Sequence, residues 1–344
     1  MLVRNAWYIA AWADELGAEP LARLICNEPV VLFRDRDNRA AALADRCCHR
    51  AAPLHMGNVV EAGLQCGYHG LVFDGSGRCV AIPGQSRIPD DACVRSYPIV
   101  EKDQLVWVWM GEAAKADPAS IVDFPYHNDK TKWPNKHDVY PIKGNYMLMV
   151  DNLMDLTHLG YLHAKTVGGN PSAHVEAEMK TARTPTGLKF TRWMRNSVPP
   201  PSYVRAAGFA GRVDRLQSFE FIAPSSVLQW TGATDAGSGV APDDFRFQFR
   251  LFHGLTPETE TSCLYFWSAA NGYRQNEPEA TEQLYREIAP TFLEDQEMVE
   301  AQQARLSEFG EAGLIDIASD ATRMTMRRLV DRMIAAEQRQ EAAE

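Results

Sequence analysis

The sequence predicts an α+β protein, built as a small β domain followed by a larger domain of strands and helices. Three observations carry that reading. Short apolar runs broken by turn signals fill the first 110 residues, longer strand-like segments occupy residues 180–270, and two stretches of helical apolar spacing, 279–307 and 318–340, close the chain. We place the domain boundaries at 1–112 and 138–344, with the mixed polar, proline-containing residues 113–137 as a connector.

In the first domain, "PVVLFRDRDNRAAALADR" (28–45) reads as two strands around the turn signal Asp35-Arg36-Asp37-Asn38. "GLVFDGSGRCVAI" (70–82) repeats that design around Asp74-Gly75-Ser76-Gly77, and "QLVWVWMG" (104–111) alternates with the period of a strand. In the second domain, "NYMLMVDNLMDLTHLGYLH" (145–163) has helical apolar spacing, while "SFEFIAP", "RFQFRLFHGL" and "SCLYFWSAA" read as strands. Residues 235–244, rich in Gly, Ala and Asp, are expected to form an exposed loop.

Composition excludes several functions. Of 344 residues 45% are apolar and 23% charged, as in globular proteins, and the formal charge is −10. With no basic stretch carrying interleaved aromatics, nucleic acid is not an expected partner. No apolar run approaches the ~18 residues of a membrane span. The opening "MLVRNAWYIAAWADEL" is interrupted by Asp14 and Glu15 and is followed by no signal-type cleavage pattern, so a cytoplasmic protein is expected. No glycine loop of the GxGxxG or GxxxxGK[ST] kind occurs, so a bound nicotinamide or nucleoside triphosphate is unsupported. Seven scattered cysteines are too few for a disulfide framework, and clustered ones in a reducing compartment point to metal or chemistry.

The cluster lies in "RCCHRAAPLHMGNVVEAGLQCGYHGLVFDGSGRCV" (46–80). Cys47 and His49 form a C-x-H pair, and sixteen residues later Cys66 and His69 form a C-x-x-H pair. Structural zinc favours CxxC or HxxxH pairs, whereas here each pair mixes one thiolate with one imidazole. Two facing loops of this kind would supply two sulfurs and two nitrogens. That set suits a 2Fe–2S cluster with Cys on one iron and His on the other. The spacing, followed by Gly70, resembles the Rieske motif, which implies Cys47, His49, Cys66 and His69 as ligands of one 2Fe–2S cluster. Cys48 stands where many relatives have Pro and reads as a bystander. "CGYHG", with Tyr68 and Leu71, is similar to the low-potential oxygenase type, since the disulfide and the Ser and Tyr hydroxyls of the respiratory type are missing.

A second site lies in "DNLMDLTHLGYLH" (151–163), which holds Asp151, Asp155, His158 and His163. On a regular helix His158 and His163 stand about 140° apart, so both reach one ion only if the helix distorts between them; Gly160 lies in that gap. Two His and a carboxylate form the facial triad of non-haem Fe(II) oxygenases. "TFLEDQEMVEAQQ" (291–303) offers Glu294 or Asp295 as the carboxylate.

Together with "VRNAWYIAAW", "DNLMDLTH" and "LTPETETSCLYFW", these segments resemble the oxygenase component of Rieske non-haem iron oxygenases, in the vanillate O-demethylase and toluenesulfonate methyl-monooxygenase group. The resemblance spans essentially the whole chain. It implies a Rieske β domain, then a helix-grip-like catalytic domain with an antiparallel sheet and C-terminal helices. It also implies one mononuclear non-haem Fe(II) held by His158, His163 and Asp295. Asp155 would link a ligating histidine of one subunit to a cluster histidine of the next. The implied activity uses O2 and electrons from NADH, delivered by a separate flavin or ferredoxin-type reductase. It hydroxylates a methyl or methoxy group of an aromatic acid, releasing formaldehyde from methoxy. A homotrimer is implied. By position, Gln229, His253 and Arg286 fall where substrate contacts are expected, and Trp193, Trp230 and Trp267 could wall a pocket. Ring or aryl-ether dioxygenation and a pure Rieske electron carrier are the competing readings.

Overall fold

The structure, a computed structural model, describes residues 1–164, 167, 174 and 177–342. Chain contacts divide it into two units, Met1–Ile121 with Thr256–Thr259, and Val122–Leu255 with Glu260–Glu344.

The first unit holds three small sheets. β1 (Trp7–Trp12), β9 (Ile99–Lys102) and β10 (Leu105–Trp109) form one, in the order β1-β10-β9. β2 (Leu21–Ile25), β3 (Glu28–Arg34) and β4 (Ala40–Ala44) form the second, and β5 (Asn58–Val60), β6 (Gly63–Gln65), β7 (Val72–Phe73) and β8 (Cys79–Ala81) the third. The two hairpins expected at 28–45 and 70–82 are therefore present. Strand β10 departs from its alternating pattern, because all five of its residues are buried. Trp107 and Trp109 tolerate this because each indole N–H donates to a main-chain carbonyl, of Lys102 and Glu112 respectively.

The third sheet and its loops enclose a core of Val31, Phe33, Leu43, Leu54, Leu64 and Phe73, into which Cys47 and Cys66 are packed. Two glycines let the loop-bearing segments touch backbone to backbone. A Cβ on Gly57 would stand 1.9 Å from the carbonyl oxygen of Gln65, and one on Gly67 would stand 2.6 Å from that of Met56.

The second unit is a seven-stranded sheet in the order β11-β17-β16-β15-β14-β13-β12. Its strands are β11 (Asn135–Ile142), β12 (Glu178–Arg183), β13 (Gly187–Ser197), β14 (Val213–Ile222), β15 (Ser226–Asp235), β16 (Phe247–Thr259) and β17 (Ser262–Asn271). The pairs β11–β17 and β12 through β16 are antiparallel. Among the described residues, α-helices accompany the sheet at α1 (Tyr146–Met154), α2 (Leu159–Leu162), α3 (Pro201–Ala207), α4 (Pro278–Phe309) and α5 (Ala321–Glu341). α3 lies in a region read as strand. Proline in its first turn and Gly208 at φ 63° after its end are start and stop signals that the strand-like surroundings outweighed.

Helix α4 is fastened to β11: Tyr285 donates to Asp138 Oδ2 at 2.8 Å, and Gln296 to the Pro141 carbonyl at 2.9 Å. Asp151, on α1, accepts from Arg323 and Arg327 of α5, so that carboxylate serves docking rather than a metal. The helix expected over 145–163 is interrupted: α1 stops at Asp155, a 3-10 turn covers Leu156–His158, and α2 follows.

The glycine contact yields a test. Gly57→Ala forces the two loop segments apart and is expected to destabilise the first unit by about 3 kcal/mol. Thermal unfolding should show a lowered midpoint. The control Gly75→Ala, whose Cβ would meet only Ala41 Cβ at 3.4 Å, should unfold like wild type; equal midpoints for Gly57→Ala and wild type would refute the packing argument.

Candidate metal centres and their cavity

The two Cys-His loops are built alike. Cys47 N donates to the Ala52 carbonyl at 2.8 Å and Ala51 N returns to the Cys47 carbonyl at 2.9 Å; Cys66 N donates to Leu71 at 2.7 Å and Gly70 N returns to Cys66 at 3.0 Å. The fourth residue after each cysteine takes positive φ, 57° at Ala51 and 75° at Gly70. Only the second is a glycine, so only that turn was legible in the sequence.

This geometry separates sulfur from nitrogen. Cys47 and Cys66 are 3% and 2% exposed, while His49 and His69 lie at the surface with ring centroids 4.6 Å apart. Burial pushes the Cys47 thiol up to about 11, with Cys66 adding to the rise. Loading a metal therefore expels a proton from the Cys47 thiol. Two inward sulfurs and two outward imidazoles fit a Cys2His2 [2Fe–2S] cluster. His55, the third histidine of the segment, is held by Asp45 instead.

The second centre forms where the α1–α2 break meets α4. Asp155 leaves the helix at φ −128°, ψ 105°, and its carboxylate accepts Thr157 N at 2.8 Å, capping the next turn. That turn brings His158 round, and His163 follows directly after α2. The break thus lies at Asp155, not at Gly160, which sits buried inside α2. The two rings meet with centroids 5.1 Å apart.

Asp295 of α4 faces both rings. His163 Nε2 is 3.0 Å and His158 Nε2 3.6 Å from Asp295 Oδ1, and the ligand atoms of all three lie within 4.8 Å of one another. Each histidine is oriented through its other nitrogen. His158 Nδ1 donates to the Asp155 carbonyl at 2.6 Å, and His163 Nδ1 lies 2.6 Å from Glu294 Oε2. Asn152 Nδ2 donates to Asp295 Oδ1 at 2.8 Å. Burial pulls the His158 pKa down; for His163 burial acts in the same direction, but Asp295 and Glu294 outweigh it and hold the ring above its usual value. Two imidazole nitrogens and one carboxylate on one side, with a cavity on the other, fit an octahedral Fe(II) site with open positions. Glu294 falls behind His163, as an orienting carboxylate does.

The cavity is shaped by strand register. Arg215, Gln217 and Phe219 of β14 lie directly across from Ala233, Thr231 and Gln229 of β15, which in turn face Phe247, Phe249 and Leu251 of β16. Side chains paired in this way share one face of the sheet. Together with Ile288, Thr291, Phe292 and Asp295 of α4, residues of that face line a single cavity reaching His158 and His163.

The expected substrate contacts divide. Gln229 lines the cavity, its amide donating to Thr231 Oγ1 at 2.9 Å. His253 sits behind Gln229, bonded to it at 3.1 Å and to Tyr265 Oη at 2.7 Å, and burial pushes its pKa down to about 3. It is neutral and carries no charge for an anion. Arg286 is a correction: its side chain is 64% exposed and paired with Glu282 and Glu279 along the helix. None of Trp193, Trp230 or Trp267 lines the cavity; Trp193 and Trp230 lie against Arg195 and Arg250, and Trp267 packs between Tyr285 and Phe292. The walls are phenyl rings of β14, β16 and α4 instead. Arg215 and Gln217 were missed, because a charge inside a buried strand is recognisable only once the register shows which face it takes.

Residues 6–98 match the Rieske [2Fe-2S] domain family and residues 142–336 the vanillate O-demethylase oxygenase C-terminal domain. The putative toluene-4-sulfonate monooxygenase system iron-sulfur subunit of Comamonas testosteroni is 42% identical over 342 residues, covering 98% of both chains. The vanillate O-demethylase oxygenase subunit of a Pseudomonas species is 39% identical over 345 residues, covering 98% of this chain and 96% of its own. The crystal structure of dicamba monooxygenase bound to 3,6-dichlorosalicylic acid superposes with a TM-score of 0.92 at 33% identity, covering 98% of this chain and 99% of its own, and another structure of that enzyme contains non-haem iron. With a Rieske domain, a His-His-Asp triad and full-length relatives of this kind, the chain belongs to the Rieske non-haem iron oxygenases, as an oxygenase component of the vanillate O-demethylase group.

Proposed function

We propose that this chain hydroxylates a methyl or methoxy group of an aromatic carboxylate or sulfonate, demethylating the substrate when the group is methoxy. The observation that carries this reading is the His158–His163–Asp295 triad opening onto a cavity walled by Phe219, Phe247, Phe249 and Phe292. Phenyl walls suit an aromatic substrate, and a triad at one end selects the atom that reacts. A pure electron carrier has no use for such a cavity.

In this reading Cys47, His49, Cys66 and His69 hold the cluster, and His158, His163 and Asp295 hold the iron. When bound, the cluster relays single electrons and the iron activates dioxygen. The chain's residues do the rest. Glu294 and the Asp155 carbonyl fix the two imidazoles so that Nε2 of each faces Asp295, where the metal would be held, and Asn152 holds Asp295. The apolar walls position the substrate and exclude water. Electrons come from NADH through a separate reductase. The protein works as a cytoplasmic homotrimer, in which Asp155 of one copy links His158 to a cluster histidine of the next. Asp155 supports that role by being only half-buried, with its carboxylate engaged on Thr157 N rather than on the metal ligands.

Two experiments test the proposal. The iron-loaded protein, supplied with NADH, oxygen and a Rieske-type reductase, should release formaldehyde from at least one methoxybenzoate, or a benzylic alcohol from a toluate or toluenesulfonate. A ring cis-diol as the only product would contradict it. Asp155→Asn keeps the capping oxygen but removes the charge, so both iron centres should remain bound while turnover falls about 10- to 100-fold. Unimpaired turnover, or loss of metal, would rule out the bridging role.

A further inference from the structure

Arg215 is the unexplained group of the cavity. It is 4% exposed, it lines the same cavity as the triad, and its Nε has no hydrogen-bond partner among the described residues. No carboxylate lies within ion-pair distance of it in the described structure; its guanidinium stands over the Tyr203 ring, 4.9 Å from the centroid. Glu287, the carboxylate that lines this end of the cavity, is turned to Arg205, which donates to it at 2.8 Å, and to Gln283 at 3.1 Å. A second buried guanidinium, Arg192, stands directly across from Gln217 in the strand register and donates to the carbonyls of Leu156 and His174. Arg192 thus has its acceptors, and Arg215 has none among the described residues. Beside them Gln217 Oε1 and Thr291 Oγ1 are also buried and without a partner among the described residues.

A buried guanidinium without a counter-charge is costly to fold. The Tyr203 ring face offsets part of that cost but offers no hydrogen-bond acceptor. A bound anion removes the cost, since the guanidinium fork matches a planar oxyanion.

Its position decides the ligand's orientation. Arg215 shares its sheet row with Phe247, whose ring meets those of Tyr203 and Tyr273, at the Glu287 end of α4. The triad lies at the Asp295 end, about 12 Å further along the helix axis. Gln229 and His253 belong to that far end, where His253 packs on Phe292.

We infer that Arg215 is the oxyanion receptor of the cavity, binding the carboxylate or sulfonate of an aromatic substrate whose opposite end is directed at the triad. The inference rests on the aromatic-acid reading and deepens it. It moves the anion site from His253 and Arg286 to β14. It also favours substrates whose reacting group is para or meta to the acid over ortho isomers.

The test is calorimetric titration of the iron-loaded protein with 4-methylbenzoate and 4-toluenesulfonate, and with the neutral isostere 4-methylbenzamide. Wild type should bind at least one anion about a hundredfold more tightly than the amide. Arg215→Met should abolish that preference while leaving amide binding and the cluster's visible spectrum unchanged, and Arg215→Lys should retain part of it. Equal binding of acid and amide by wild type, no binding of either anion, or an undiminished preference in Arg215→Met would overturn the inference. The wild-type comparison stands even where the methionine variant fails to fold. If Arg215→Met still demethylates a methoxybenzoate with an unchanged KM, the inference fails and the functional proposal survives. If wild type binds the anions through Arg215 but oxidises no methoxybenzoate, toluate or toluenesulfonate at its methoxy or methyl group, the functional proposal fails and the receptor stands.

Discussion

The second unit is organised around a buried negative charge. Asp295 is 3% exposed on a helix that faces phenyl rings, and an ionised carboxylate in such a place costs several kcal/mol unless it is paired. The chain brings it an amide donor from α1, through Asn152, and two imidazoles from the segment after it. Each of those elements is located by that requirement. Helix α1 must end at Asp155 so that His158 can turn inward, α2 must be short so that His163 follows at once, and α4 must be fastened along β11 to carry Asp295 to them. His163, held above its usual pKa by Asp295 and Glu294, offsets part of the charge, and a divalent cation on the three ligands offsets it fully.

The first unit solves a related problem by different means. Its cysteines are packed in an apolar core, and burial there pushes the Cys47 thiol up to about 11, so iron binding must draw off its proton. The imidazoles stay at the surface, where electrons can enter and leave. Two like-built turns hold the ligands, and Gly57 and Gly67 allow the turns to approach each other. The unit is consequently sensitive to added bulk in its loops, whereas the second unit is sensitive to changes of charge.

How much of this was legible in the sequence depended on whether a feature was local. The cluster quartet was plain, since spacing of one and two residues reports a tight loop directly. The triad was half plain. Glu294 and Asp295 are consecutive, and no pattern of apolar residues separates a ligand from its neighbour. In the structure both contact His163, one on each ring nitrogen, which is why sequence pattern alone did not separate them. The helix break was foreseen but put at Gly160, because glycine is the usual marker of distortion; the chain uses a capping aspartate instead. The substrate end was the least legible. Arg286 and Arg215 are the same residue type in the sequence, and only the folded chain shows that one meets solvent on a helix and the other a cavity on a strand. Gln229 lines the cavity, whereas His253 lies one layer behind it.

The central claim is that one chain holds two separate iron centres with different ligand chemistry. It is tested most directly by counting iron and acid-labile sulfide per chain in the reconstituted protein, alongside the same count for His163→Ala. A [2Fe–2S] cluster plus one triad-bound ion predicts iron and sulfide in a ratio of three to two, falling to one to one in the variant with the visible spectrum of the cluster intact. A ratio of one to one already in wild type, or bleaching of the cluster in the variant, would contradict the account.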